Sequence, residues 1–242
     1  MEDKRFYGRR KGKPIKDSRQ KLIDALLPKV ALQQPEEGQG IDVNSLFGIQ
    51  PKEVWLEVGF GGGEHVAELA KMYPDVGIIG AEPFMNGVAS LLAHLNGSHM
   101  KQVVHFDLEE GRTDNVRIWP DDIRPLFPSF PNNGFERIFV LYPDPWPKAR
   151  HAERRFINQK NIPALARMLS DTGALYVATD VQEYAEWAVE QMDISGLFIQ
   201  THPDTSQPPV DWVPTRYEKK GIAAGRKPTY LVFCKKNKKN RK

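Results

Sequence analysis

The chain is predicted to be an α/β protein built on a mostly parallel sheet, and three observations predict it. Apolar runs of strand length recur along the chain, at Val54–Val58, Val76–Ala81, Val116–Trp119, Arg137–Leu141 and Ala174–Ala178. Helix-patterned segments alternate with them, as at Gly63–Met72, where Val66, Leu69 and Ala70 share one face. A glycine cluster, Glu57-Val58-Gly59-Phe60-Gly61-Gly62-Gly63, joins the first strand to the first helix. Alternation of this kind requires crossover connections, which give a doubly wound sheet with helices on both faces.

The elements follow in order. Residues 22–33 are expected to form a short helix before the turn-rich stretch Pro35 to Gly40. After the glycine cluster and its helix come the second strand and a second helix, Asn86–Leu95. Residues 97–114 are ambiguous, with Gln102–Phe106 either a strand or an insertion. Beyond the strand at Arg137–Leu141, Ile162–Leu169 and Tyr184–Met192 read as helices flanking the fifth strand. Phe198–Thr201 and Tyr230–Cys234 fit a terminal antiparallel pair. This gives one domain over residues 22–235, a basic, flexible extension at 1–21 and a basic tail at 236–242.

Composition sets limits. Hydrophobic residues make up 40% and charged residues 27% of 242 residues, enough apolar material for one large soluble domain. No apolar run reaches membrane-spanning length, and the polar, basic start lacks the apolar core of a secretory signal; a cytoplasmic protein without membrane partners is expected. Cys234 is alone, so no internal disulfide is possible, and its apolar surroundings predict an inert core thiol. Net charge is only +3, but the cations crowd the two ends, from Lys4 to Lys21 and from Lys235 to Lys242, where they can neutralise phosphates.

The segment Leu141-Tyr-Pro-Asp-Pro-Trp-Pro-Lys-Ala-Arg-His151 carries the most chemistry. Three prolines in five residues exclude helix and central strand, because each fixes φ and lacks a backbone donor. The stiff loop holds Asp144, Trp146, Lys148, Arg150 and His151 in nearly fixed relation at the mouth of a strand, as active-site loops of open α/β sheets do. A rigid turn with incidental charges is the plain alternative.

The glycine cluster, with Gly59 and Gly61 at its turn, allows a ligand to approach the backbone beside a helix N-terminus. Its neighbours narrow the ligand. Glu57 ends the first strand and Glu82 the second, where a carboxylate can accept both hydroxyls of a ribose. Asp122 follows the third strand, suited to an adenine amino group, with Asp121 as a rival. Asp144 and Asp180 follow the fourth and fifth. Five strand-end carboxylates favour a ligand with hydroxyls, amines and positive charge and would repel a pyrophosphate. S-adenosylmethionine fits; NAD and FAD fit worse, and the glycines at 59, 61, 62 and 63 lack the dinucleotide spacing. No second His or Cys lies at metal spacing around His151, so no metal is expected.

From about Trp55 to Cys234 the chain closely resembles the bacterial tRNA (guanine-N7)-methyltransferase family of class I, Rossmann-like enzymes. The resemblance rests on Glu57–Gly63, on Tyr142–His151 with Arg154-Arg155 behind it, on Thr179-Asp180 and on Thr215-Arg216-Tyr217-Glu218. It implies methyl transfer from S-adenosylmethionine to N7 of a guanine in the tRNA variable loop, position 46 in tRNA numbering. By the family pattern Glu57, Glu82, Asp122 and Asp144 contact the donor, with Gly59 and Gly61 in the cofactor loop. Lys148, Asp180, Thr215, Arg216, Tyr217 and Glu218 contact the tRNA, and Asp144 is the catalytic residue. The stretch from about Gly97 to Asp114 is longer than the family pattern.

Arg150, Arg154 and Arg155 are expected to join Lys148 in holding phosphates, and Trp146 and Tyr217 to stack on an unstacked base. A methyltransferase acting on another RNA, a protein or a small molecule keeps the same fold and donor. A catalytically silent RNA-binding module is disfavoured by the joint presence of Glu57, Glu82, Asp144 and Asp180. Monomer and homodimer both remain open.

Overall fold

The computed structural model describes residues 8, 10, 12–97 and 114–236. The chain forms two compact units, Met1–Ser129 and Phe130–Lys242. The expected ambiguous strand at Gln102–Phe106 and most of the basic C-terminal tail lie outside the described residues.

In the first unit the elements are α1 (Asp17–Val30), β1 (Glu53–Val58), α2 (Glu64–Met72), β2 (Val76–Ala81), α3 (Met85–Leu95) and β3 (Val116–Trp119). The strands are parallel in the order β3-β2-β1, with Val58 opposite Ala81 and Ala81 opposite Trp119. Their C-terminal ends are therefore level. β2 is buried along its whole length, as the middle strand of a parallel set must be. Parallel register puts Gly77 and Gly80 of β2 against the rings of Phe47 and Phe60, where a side chain would collide. α2 buries Val66, Leu69 and Ala70, the face its spacing predicts, together with His65.

Helix α1 begins at Asp17, inside the stretch read as a flexible extension. It buries Leu22, Leu26 and Val30, and Arg19 donates from Nη1 to the carbonyl of Ala89 on α3 at 3.1 Å. The residues just before it are held as well. Asn86 Nδ2 donates to the carbonyl of Lys13 at 3.0 Å, and Arg10 pairs with Asp121 at 2.7 Å. Burial of one residue on each successive turn from Leu22 to Val30 and these polar ties outweigh the local excess of charge.

In the second unit the elements are β4 (Phe135–Leu141), α4 (Ile162–Met168), β5 (Leu169–Thr179), α5 (Gln182–Ser195), β6 (Phe198–Gln200), α6 (Arg216–Ala223) and β7 (Thr229–Lys235). The strand order is β4-β5-β7-β6; β4 and β5 are parallel, and β7 runs antiparallel to both of its neighbours. The mostly parallel α/β class with an antiparallel C-terminal pair is thus the one expected. Helix α6 was not expected, although the sequence signals it: Thr215 and Glu218 are spaced as a capping box. Cys234 on β7 is half-buried, with Thr201 Oγ1 at 3.8 Å from its sulfur, rather than sealed in the core, because β7 bears only β6 beyond it. Among the described residues no helix is long and apolar enough to cross a membrane.

Asn115, next to β3, is 1% exposed, and its Nδ2 lies 3.0, 3.2 and 3.1 Å from the carbonyls of Ala70, Tyr73 and Val76. Its two protons are shared among three acceptors at the junction of α2 and β2. Replacement Asn115→Ala strips these carbonyls of a buried donor and is expected to destabilise the protein by about 2 kcal/mol, read from the urea midpoint at unchanged slope.

Candidate active site

In the first unit the glycine turn is defined by positive φ at Gly59 (72°), Gly61 (58°) and Gly63 (79°). Such angles cost residues with a Cβ about 1 kcal/mol or more, so the cluster is required by the turn itself. A second restraint was not visible in the sequence. A Cβ on Gly87, in the first turn of α3, would strike the carbonyl oxygen of Gly61, so Gly87 lets α3 close on the loop.

Each predicted carboxylate of this unit is already engaged. Glu57, in β1, is 2% exposed, and its Oε2 lies 2.6 Å from Nδ1 of His65 on α2. Glu82 directly follows β2 and is 7% exposed. It accepts from the Gly61 N–H at 2.7 Å and the Phe84 N–H at 2.8 Å, one on each oxygen. A carboxylate has about four lone-pair sites, more than these two N–H groups fill. Asp122 lies three residues beyond β3 and is gripped by Arg124, whose Nε is 3.0 and 2.9 Å from the two oxygens and whose Nη2 is at 2.7 Å. Its rival Asp121 is held by Arg10.

These residues fit the expected donor. Two buried carboxylates beside a glycine turn suit hydroxyl and cationic groups. Glu57 and Glu82, with the backbone of Gly59 and Gly61, would hold it.

In the second unit the proline loop leaves β4 through two residues in the left-handed region, Tyr142 (φ 51°) and Trp146 (φ 41°). Neither is a glycine, so the turn is held against local preference. The Tyr142 N–H donates to the Ala178 carbonyl of β5 at 2.7 Å. Arg155 supplies most of the remaining hold. Its side chain is 4% exposed; Nε donates to the Pro145 carbonyl at 2.9 Å, and Nη2 donates to the Trp146 carbonyl at 3.3 Å and to Glu183 Oε1 at 2.5 Å. The phosphate-holding role expected for Arg155 is therefore corrected: its Nε and Nη2 are engaged by the loop and Glu183, and its side chain is shielded from solvent.

Asp144, Lys148 and Arg150 are exposed on this scaffold, as expected for groups that meet a substrate. The Arg154 guanidinium lies 5.2 Å from the Trp146 ring centre, and the His151 ring meets the same indole edge-on at 5.8 Å. Desolvation, and then the charges of Arg154, Arg150 and Lys148, hold the His151 pKa below the usual histidine value. A polyanion placed against the three cations would oppose their share of that effect.

Asp180 directly follows β5 and pairs with Arg226 at 2.6 Å, while Gly221 of α6 leaves room for its carboxylate. The Thr215–Glu218 group divides. Thr215 Oγ1 caps α6 by accepting from the Glu218 N–H at 3.1 Å. The Glu218 side chain is buried, accepting from Trp212 Nε1 at 2.9 Å and from the Tyr230 hydroxyl at 2.8 Å. Burial, together with the Glu218 carboxylate, pushes the Tyr230 hydroxyl pKa up, so it remains a donor. Arg216 and Tyr217 face outward, Tyr217 being 54% exposed.

Three residues of this site escaped the sequence reading: His65, Gly87 and the structural use of Arg155. An i to i+8 pairing across a glycine turn has no periodic signature, and a helical glycine or an arginine in a basic run has none either. Replacing Arg155 with Lys removes the forked geometry that serves two carbonyls at once. Arg155→Lys is expected to lower turnover at least about tenfold while S-adenosylmethionine affinity changes less than about twofold, measured by single-turnover kinetics and calorimetry.

Residues 51–231 match a family model described as "Putative methyltransferase". The tRNA (guanine-N(7)-)-methyltransferase of Rhodospirillum rubrum is 43% identical over 237 residues, covering 96% of this chain and 88% of that protein. That of Paramagnetospirillum magneticum is 43% identical over 231 residues, covering 95% and 92%. Among solved structures, TrmN from Thermus thermophilus superposes with a TM-score of 0.51 at 15% identity, over 77% of this chain and 45% of that one, a likeness of fold. By its strand-end carboxylates, its proline loop and these relatives, the chain belongs to the tRNA (guanine-N(7)-)-methyltransferase family.

Proposed function

We propose that the protein transfers a methyl group from S-adenosylmethionine to N7 of the guanine at position 46 in the tRNA variable loop. The observation that carries this reading is the rigid display of an exposed Asp144 beside exposed Lys148 and Arg150 on a buried arginine brace. Family membership supports the donor and the tRNA guanine; the position follows the family pattern. The reading treats residues 22–235 as one methyltransferase domain with basic ends.

Guanine N7 bears an in-plane lone pair and no proton, so no general base is needed. The donor supplies a sulfonium methyl group. The protein's tasks are positioning and charge stabilisation. Glu57, Glu82, Asp122 and the glycine turn at Gly59 and Gly61 bind the donor, with Asp144 contributing as the family pattern implies. Asp144 also accepts from N–H groups of the guanine and stabilises the positive charge that develops on its imidazole ring. Lys148, Arg150 and Arg216 hold phosphates, Asp180 supports Asp144, and Tyr217 stacks on an exposed base. Thr215 and Glu218 act on the RNA through α6, whose start they fix. The substrate is tRNA in the cytoplasm.

Two measurements test the reading. Incubation with labelled S-adenosylmethionine and tRNA lacking N7-methylguanosine is expected to place label only on N7-methylguanosine, mapping to position 46; label on any other nucleoside overturns it. Asp144→Asn is expected to slow the single-turnover rate by more than about tenfold, or about 1.4 kcal/mol of transition-state stabilisation. A smaller loss would remove Asp144 from the catalytic role.

A further inference from the structure

We propose that His65 is a positioning residue for the methyl donor, holding the Glu57 carboxylate in its binding orientation through Nδ1. The inference rests on the reading of Glu57 as a donor-binding residue. His65 Nδ1 and Glu57 Oε2 are 2.6 Å apart, and both side chains are 3% exposed. An ionised carboxylate only accepts, so the shared proton sits on Nδ1 of the imidazole.

The location gives the pair its purpose. Glu57 lies near the end of β1 and His65 in the first turn of α2, so their bond closes the two sides of the glycine turn. Within that turn the backbone is secured by the Gly59 N–H donating to the Ala81 carbonyl at 2.8 Å and the Gly63 N–H donating to the Phe60 carbonyl at 3.0 Å. Neither bond fixes the Glu57 side chain.

The partner's chemistry also distinguishes this pair from that of Asp122 with Arg124. Asp122 is met by an arginine in a two-pronged ion pair, which cancels its charge. An imidazole with its proton on Nδ1 donates one hydrogen bond without bringing an arginine's permanent charge. A neutral imidazole orients a carboxylate without cancelling the charge it offers to a ligand that carries a sulfonium and an ammonium group. Orientation of a binding group by a buried hydrogen-bond partner is the same device that outer-shell residues provide in metal sites.

The side-chain amide of Asn places its nitrogen near the position of histidine Nδ1, whereas Leu offers no donor. Binding of S-adenosylhomocysteine and S-adenosylmethionine to the full chain without tRNA is to be measured by calorimetry for His65→Asn, His65→Leu and Glu57→Gln, with ligand-free melting curves alongside. His65→Leu is expected to weaken binding about tenfold or more, His65→Asn less than about threefold, and His65→Leu is expected to add nothing in the Glu57→Gln background. If Glu57→Gln binds as wild type, the donor-binding reading of Glu57 fails. If Glu57→Gln weakens binding while His65→Leu does not, the positioning role alone fails. Should His65→Leu not fold, His65→Asn decides: a loss as large as that of Glu57→Gln overturns the proposal, and near-normal affinity upholds it.

Discussion

Removing a carboxylate from water costs several kcal/mol unless its charge is answered, and the active region is organised around that cost. Four acidic groups at or near the ends of strands are held in four different ways. Glu57 has an imidazole, Glu82 two backbone N–H groups, Asp122 a guanidinium in two-pronged contact, and Asp180 the guanidinium of Arg226. Glu218, farther along the chain, takes an indole and a phenol. Neutral donors orient a carboxylate and leave its charge in place; arginines orient it and neutralise it. On that distinction Glu57, oriented by an imidazole, suits a cationic, hydroxyl-rich ligand.

Much of the fold was legible because periodicity and burial agree. β2 and β3 were read to the residue, and β1 and α3 came within one residue, since a parallel strand buried on both sides is a plain apolar run. The failures have physical causes. α1 starts earlier than expected because its first turn is polar and basic, and its hold comes from tertiary contacts of Leu22 and Arg19 rather than from local pattern. α6 was overlooked because Gly221 interrupts an eight-residue segment that buries only Glu218 and Gly221, although the close approach of Gly221 to Asp180 shows why that glycine sits there.

The site was legible at the level of residue type and less so at the level of role. Acidic residues at strand ends and cations after the proline loop stand where the spacing put them. Which cation faces solvent and which is consumed by the scaffold was not readable, because Arg154 and Arg155 are chemically identical neighbours. One stacks on Trp146; the other is buried beneath the loop. Similarly, Thr215 and Glu218 belong to a motif that carries the family resemblance yet spend their polar atoms on the protein itself.

The arginine brace also bears on how this loop can be inherited. Proline removes donors from the loop but leaves its carbonyls, and those of Pro145 and Trp146 are met by a side chain ten and nine residues downstream. The same guanidinium then reaches Glu183 in the first turn of α5. The eleven residues that look like a self-contained cassette are therefore not portable. Grafted onto another strand they would keep their stiffness and lose their aim. The smallest transplantable module runs from the end of β4 through Arg155 and needs an acidic residue at the start of the helix that follows the next strand.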